Sequence, residues 1–253
     1  MKETIMSAKE LSGRVALVTG GSRSMGAAIA RRLAFDGASV ALTFHQSEDR
    51  ASSVVEEIEA EGGRAIAVRA DSGTPGDVRA AVARTVKVLG SLDILVNSAG
   101  TIAMAPIEEF SFAEYERMVA VNITGTFIAT KEAVAHMKAG GRIINIGSVM
   151  PRYVGFANFS VYALTKGAIH GFTRGLARDL GPKGITANVV MPGPIDTDMN
   201  PSDGPFGDVL REKIALGRYG ESQEIADIVA FLASSRSAFV TGAEIVADGG
   251  MSA

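Results

Sequence analysis

Tyr162 and Lys166 lie four positions apart in Ser160-Val161-Tyr162-Ala163-Leu164-Thr165-Lys166-Gly167. On a helix such residues share a face. A phenol is ordinarily a weak acid, with a pKa of about 10. A neighbouring ammonium favours the phenolate and is expected to lower that value. Tuned in this way, Tyr162 could donate a proton to a carbonyl oxygen or remove one from an alcohol. Ser148, fourteen positions upstream, could hydrogen-bond the same oxygen. Taken alone, Tyr-x-x-x-Lys is equally a half-buried tyrosine beside a lysine whose stem packs and whose head reaches water.

A partner for that proton transfer is suggested upstream. Thr19-Gly20-Gly21-Ser22-Arg23-Ser24-Met25-Gly26 follows an apolar run and opens a helical pattern. Backbone amides at such a turn, with the helix dipole behind them, suit a dinucleotide pyrophosphate. By itself the segment is also an ordinary βα turn with Ser24 as helix cap. Asp71 after the third strand and Asn97-Ser98-Ala99-Gly100 after the fourth add polar or small residues where the edges of a nucleotide would lie. The second strand ends Phe44-His45-Gln46-Ser47, with no acid before Glu48 to accept a ribose 2′-hydroxyl. Arg23 can reach that region, and a guanidinium suits a 2′-phosphate. The expected cofactor is therefore NADPH, with Arg23 the main contact and His45, Gln46 and Ser47 as helpers.

The elements that must position these residues alternate along the chain. Strands are predicted at 14–19, 39–44, 64–70, 92–96, 142–146, 185–190 and 243–246. Helices are predicted at 25–35, 49–61, 75–89, 112–138, 161–180, 206–215 and 223–233. Such alternation implies parallel strands joined by right-handed crossovers. The fold class is α/β: a single Rossmann domain over residues 11–253, doubly wound, with helices on both faces and a loose polar tail over residues 1–10. Residues 192–205, rich in Pro, Gly and Asp, read as a loop.

The bulk properties narrow the function classes. A hydrophobic fraction of 47% with 6% aromatics calls for an aliphatic core, which suits a sheet covered on both faces. The net charge of −3 comes with no basic stripe, so nucleic-acid binding is not expected. With no cysteine, disulfides, thiolate metal sites and a cysteine nucleophile are excluded. Neither a secretory leader nor a membrane-length apolar run is visible, so the expected location is cytoplasmic. His136 and His170 lack ligand spacing, and Asp196, Asp198 and Asp203 sit in a loop where Asp commonly caps backbone. No metal is expected.

Taken together, Thr19–Gly26, Asp71, Asn97–Gly100, Asn122 in Val121-Asn122-Ile123-Thr124-Gly125, Ser148, Tyr162, Lys166 and Pro192-Gly193-Pro194-Ile195-Asp196-Thr197 resemble the short-chain dehydrogenase/reductase family over residues 11–250. The resemblance implies a seven-stranded sheet, an NAD(P)-dependent oxidoreductase and a homotetramer. It implies a catalytic tetrad of Asn122, Ser148, Tyr162 and Lys166. Lys166 would also hold the nicotinamide ribose, and Asn122 a water in a proton relay. The implied cofactor contacts are Gly20, Ser22, Arg23, Ser24, Met25, Asp71, Ser72, Asn97, Ala99, Gly100, Tyr162, Lys166, Pro192, Gly193, Ile195 and Thr197. Two departures stand out: Ser24 replaces a family glycine, and the Ser148–Tyr162 interval is one residue longer than in many members.

The expected reaction is NADPH-dependent reduction of a small to medium ketone, aldehyde or 3-oxoacyl group. Gly155, Phe156, Phe159, Met150, Met191 and residues 194–218 would shape an apolar pocket. Two alternatives stay open. The Gly193–Pro201 and Gly147–Met150 segments also resemble a biofilm-dispersal branch of the family, which implies sequestration of cyclic di-GMP. A 3-oxoacyl carrier-protein reductase would instead show turnover that depends on the carrier and weakens with salt.

Overall fold

The computed structural model describes residues 9–253. Of the tail expected over residues 1–10, all but Lys9 and Glu10 lies outside them. Leu11 is buried.

Seven parallel strands form one sheet: β1 (Val15–Thr19), β2 (Ser39–Phe44), β3 (Arg64–Arg69), β4 (Ile94–Asn97), β5 (Arg142–Ile146), β6 (Thr186–Pro192) and β7 (Glu244–Ala247). Their order is β3-β2-β1-β4-β5-β6-β7. Strand order reverses between β1 and β4, and a crevice opens there beyond the carboxyl ends of the strands. In register, Thr19 lies beside Asn97, and Asn97 beside Asn145. Three motif-bearing strand ends therefore stand side by side.

Eight helices cover the sheet: α1 (Ser24–Phe35), α2 (Glu48–Ala60), α3 (Pro75–Leu89), α4 (Phe112–Val119), α5 (Thr126–Val134), α6 (Ser160–Leu180), α7 (Gly207–Lys213) and α8 (Ser222–Ala233). The inner strands β1, β2, β4, β5 and β6 are mostly apolar and buried because both faces are covered, whereas edge strand β3 is partly exposed. On one face Val18, Val40 and Ile144 pack with Ile29, Leu33, Ile58 and Val229. On the other, Leu17 and Leu95 pack with Val78, Val82 and Ile128. Ile143 and Ala187 meet Leu176 and Leu180 of α6. Each such aliphatic side chain contributes about 1.5–3 kcal/mol by leaving water.

The helix predicted over 112–138 is divided. Between α4 and α5, Ala120–Gly125 winds as a π-helix, and the regular helix ends at Val134. Gly125 shows one reason for the local path, since a Cβ there would overlap the carbonyl oxygen of Ser72. The widened turn carries Asn122, in keeping with the tendency of π-turns to occur at functional positions.

Two glycines test the packing in opposite directions. A Cβ on Gly26 would overlap the backbone carbonyl oxygen of Gly20, whereas one on Gly171 would meet nothing within 4 Å. Gly26→Ala should therefore lose about 1–3 kcal/mol, and Gly171→Ala, mid-helix in α6, should gain about 0.5–1 kcal/mol. Urea unfolding of both variants checks this; equal midpoints would contradict it.

Candidate active site

Helix α6 aligns the chemical residues because its buried stripe docks against the exit of β5. Lys166 is 7% exposed, and its Nζ donates to the Ile146 carbonyl oxygen at 2.9 Å. One turn earlier stands the half-buried Tyr162, its phenol within reach of the Ser148 hydroxyl. Nζ lies 5.9 Å from the centre of the Tyr162 ring. Ser148 Oγ is itself placed by a hydrogen bond from the Met150 amide at 3.2 Å. The predicted trio is brought together.

Its electrostatics differ from the sequence expectation. Burial pushes the Tyr162 phenol up to about 12, opposed only in part by the Ser148 hydrogen bond. Burial also pulls the Lys166 ammonium down to about 8. Desolvation of the phenolate thus dominates at Tyr162, opposite to the lowering expected from the spacing of Tyr162 and Lys166. The phenol is held as a proton donor across the neutral range.

Asn122, 2% exposed, joins the site from the π-turn. Its Oδ1 accepts from the Thr101 amide at 2.9 Å, and its Nδ2 donates to the Thr101 carbonyl at 2.9 Å and to Thr165 Oγ1 at 3.1 Å. The side chain clamps the strand following Gly100 to α6. Its Oδ1 and Lys166 Nζ both flank Gly100, each 3.6 Å from where a Cβ would stand.

The glycine turn lies against the turn after β4. A Cβ on Gly20, whose φ is +66°, would lie 2.9 Å from Ala99 Cα. Thr19 Oγ1 accepts from the amides of Ser98 and Ala99, and the Gly20 amide donates to Thr43 Oγ1. Ser22 is buried and Met25 packs on the core. Ser24 adopts φ +47°, the left-handed region that favours glycine, which explains why the family places glycine there. Its Oγ accepts from the Asp198 amide at 3.3 Å, so the side chain is turned towards the loop after β6.

The remaining residues predicted as contacts stand at or near the same strand ends. Asp71 accepts from the Gly73 amide and from Arg117, with His45 Nε2 3.8 Å away. Burial raises its carboxyl, but the Arg117 and Gly73 hydrogen bonds outweigh that and hold it low. Ser72 follows it, against Gly125. Gln46 and Ser47 stand at the exit of β2, with Ser47 preceding the first turn of α2. Asn97 is buried and donates down to Asn145 and Thr130, so its side chain braces the floor rather than facing the crevice. Pro192 ends β6, the Gly193 amide donates to Ala247, Ile195 is buried, and Thr197 Oγ1 accepts from the Asn200 amide.

Sequence reasoning missed a cationic pair. Arg23 Nη1 lies 3.8 Å from Asp198 Oδ2, and Arg50 pairs with the same oxygen. Two guanidiniums from the first two βα turns thus converge on one anionic group. Arg50 lies beyond the strand end, in the first turn of α2, and meets Asp198 only through the fold. The loop aspartates divide their roles: Asp196 accepts from the Ser202 amide, while Asp198 joins this pair. Among the described residues, no three acidic or histidine side chains gather as a metal site requires.

On the substrate side, Phe156 and Tyr153 pack with Ile214, Tyr219 and Met251. Phe156, Phe159 and Tyr162 follow one another at centroid distances of 6.2 and 6.5 Å. Met191 departs from expectation: it is fully buried with Ile169 and Val189, so it belongs to the core because its strand continues to Pro192.

Known proteins share this arrangement. Residues 20–252 match a family model described as enoyl-(acyl carrier protein) reductase. The chain is 43% identical to the cyclic-di-GMP-binding biofilm dispersal mediator protein of Escherichia coli (strain K12), over 96% of this chain and 98% of that one. It is 40% identical to versicolorin reductase 1 of Aspergillus parasiticus, over 95% and 97%. A short chain dehydrogenase from Burkholderia cenocepacia J2315, solved in complex with NADP, superimposes with a TM-score of 0.95 at 46% identity, covering 96% of this chain and all of that one. With the strand order, the glycine turn and the Ser148–Tyr162–Lys166 cluster, these matches establish that the chain belongs to the short-chain dehydrogenase/reductase family.

Proposed function

We propose that this protein is an NADPH-dependent carbonyl reductase. The observation that carries the reading is the half-buried Tyr162 phenol beside Ser148, with Lys166 Nζ 5.9 Å from its ring centre. The crevice fits a dinucleotide: Gly20 and Gly26 keep backbone free of side chains at the N-terminus of α1, and Arg23 with Arg50 offers paired cations for a 2′-phosphate. Gly20, Ser22, Ser24 and Met25 would hold the pyrophosphate, Asp71 and Ser72 the adenine end, and Ala99, Gly100, Lys166, Pro192, Gly193, Ile195 and Thr197 the nicotinamide end. A bound NADPH supplies hydride to the carbonyl carbon.

The chain's residues perform the rest. Ser148 donates to the carbonyl oxygen and orients it. Tyr162 protonates that oxygen as negative charge develops. Lys166 stabilises the resulting phenolate, and Asn122 keeps the helix and the Gly100 turn in register for proton return. The Phe156–Phe159 wall and Ile214, Tyr219 and Met251 select a small to medium apolar body. The reductase names among relatives support this direction. A homotetramer accords with exposed Phe112, Phe127 and Leu164 on α4–α6 and with fully exposed Phe239. No described helix is long and apolar enough to cross a membrane.

A second reading is cyclic di-GMP sequestration, favoured by the relative in Escherichia coli. Calorimetry with that dinucleotide, beside a ketone panel followed by loss of NADPH, separates the two.

Three outcomes are expected. Tyr162→Phe should lower kcat by about 10²–10⁴-fold and leave the NADPH Kd unchanged; a near-normal kcat rejects the acid role. Arg23→Ser removes a charged contact, so KM for NADPH should rise roughly tenfold or more with KM for NADH unaffected; parallel changes contradict it. Burial lowers the Lys166 ammonium to about 8. The cation is therefore present below that pH and lost above it. Reduction should fall as pH rises through about 8, and a rate constant that stays level well beyond that value contradicts the assignment.

A further inference from the structure

The loop after β6 carries an anion to the cofactor end of the crevice. Thr197 and Asn200 close a tight turn with reciprocal backbone hydrogen bonds, and Asp198 stands at its tip. Asp196 fastens the residues that follow by accepting from the Ser202 amide at 2.9 Å. The turn is thus tied within itself. Asp198 joins it to the glycine turn and to α2. Its amide donates to Ser24 Oγ at 3.3 Å, and its Oδ2 lies 3.8 Å from Arg23 Nη1 and pairs with Arg50.

The arrangement differs from an ordinary surface ion pair. Arg23 precedes α1 as its cap residue and Arg50 lies in the first turn of α2. Two cations from separate elements therefore meet at a single carboxylate oxygen. Like charges placed in this way repel unless an anion stands between them. Glu48 and Asp49 share the first turn of α2, yet among the described residues neither pairs with Arg23 or Arg50. The anion comes from the distant loop instead. The side chains of Arg23, Arg50 and Asp198 are 56, 58 and 48% exposed. Ion pairs so exposed are weak, and a solute anion can replace the carboxylate without first dehydrating the cations. A phosphate monoester is the stronger ligand for two guanidiniums, with a charge of about −1.5 to −2 and three acceptor oxygens.

We propose that Asp198 is a specificity-determining residue for the cofactor: its carboxylate competes, from within the chain, with the 2′-phosphate of NADPH for the Arg23–Arg50 pair. The inference rests on reading that pair as the 2′-phosphate site. NADH brings no phosphate to exchange for the carboxylate. Asp198 therefore weakens NADPH binding selectively and narrows the preference that the two arginines create.

Dissociation constants for NADPH and NADH are measured by calorimetry on wild type, Asp198→Asn and Asp203→Asn, with ketone reduction followed on the same proteins. Asparagine keeps the shape of the side chain and removes its charge. Asp203 is exposed on the same loop, so Asp203→Asn makes the same change in net charge away from the pair. In Asp198→Asn the NADPH Kd should fall about threefold to tenfold, the scale of two exposed ion pairs. The NADH Kd should not change, and Asp203→Asn should match wild type for both nucleotides. The proposal is overturned if Asp198→Asn leaves the NADPH Kd unchanged or raises it, a rise being the mark of a residue that holds the bound nucleotide. It is also overturned if both nucleotides tighten equally, or if Asp203→Asn reproduces the gain, since net charge would then suffice. Should wild type bind NADPH but reduce no carbonyl, the reductase reading fails while the Kd values still decide the competition. If wild type shows no preference for NADPH over NADH, the 2′-phosphate site and this proposal fall together.

Discussion

The hydrogen bond from buried Lys166 to the Ile146 carbonyl is the constraint on which the site depends. It closes the distance between α6 and the end of β5, and it does so with a charged donor in a place shielded from water. A bond of this kind is short and directional. With it in place, helical geometry alone brings Tyr162 to Ser148 one turn earlier. The sheet supports the arrangement from below: Asn145 on β5 donates to Thr173 of α6 and accepts from Asn97 of β4. The chemistry is thus held by rigid elements, with only the outer wall left to loops.

The same burial that fixes the cluster determines its protonation. In water the cation would be expected to acidify the phenol. Here both groups are desolvated, and each is displaced towards its neutral form. A phenol kept protonated suits delivery of a proton to a carbonyl, while a lysine poised near neutrality is sensitive to the charge that arrives beside it. Proton donation by Tyr162 is therefore favoured by desolvation, with the ammonium acting mainly on the phenolate once it forms.

Much of this was legible in the chain. Buried parallel strands rich in Val, Ile and Leu announce themselves because both faces are covered, and helix ends at Gly37 and Gly90 follow from turns with positive φ. The proximity of Tyr162 and Lys166 was legible because four-residue spacing on a helix maps directly onto one face. Other features depend on contacts that spacing cannot reveal. The π-turn at Ala120–Gly125 leaves no break in hydrophobic pattern, since it adds one residue to a single turn. Arg50 and Asp198 are 148 positions apart. Met191 looked like a pocket residue only because its strand runs further than its apolar pattern suggested. His170, for which the sequence offered only the absence of ligand spacing, lies buried against Gly147 at the exit of β5.

The claim at the centre is that α6 carries a buried ammonium one turn from the Tyr162 phenol. Direct NMR titration of the Lys166 side chain, assigned by comparison with Lys166→Met, tests it most closely. The account predicts a midpoint drawn down to about 8 by burial. A midpoint at the ordinary lysine value of about 10.4 would show a solvated side chain and contradict the account.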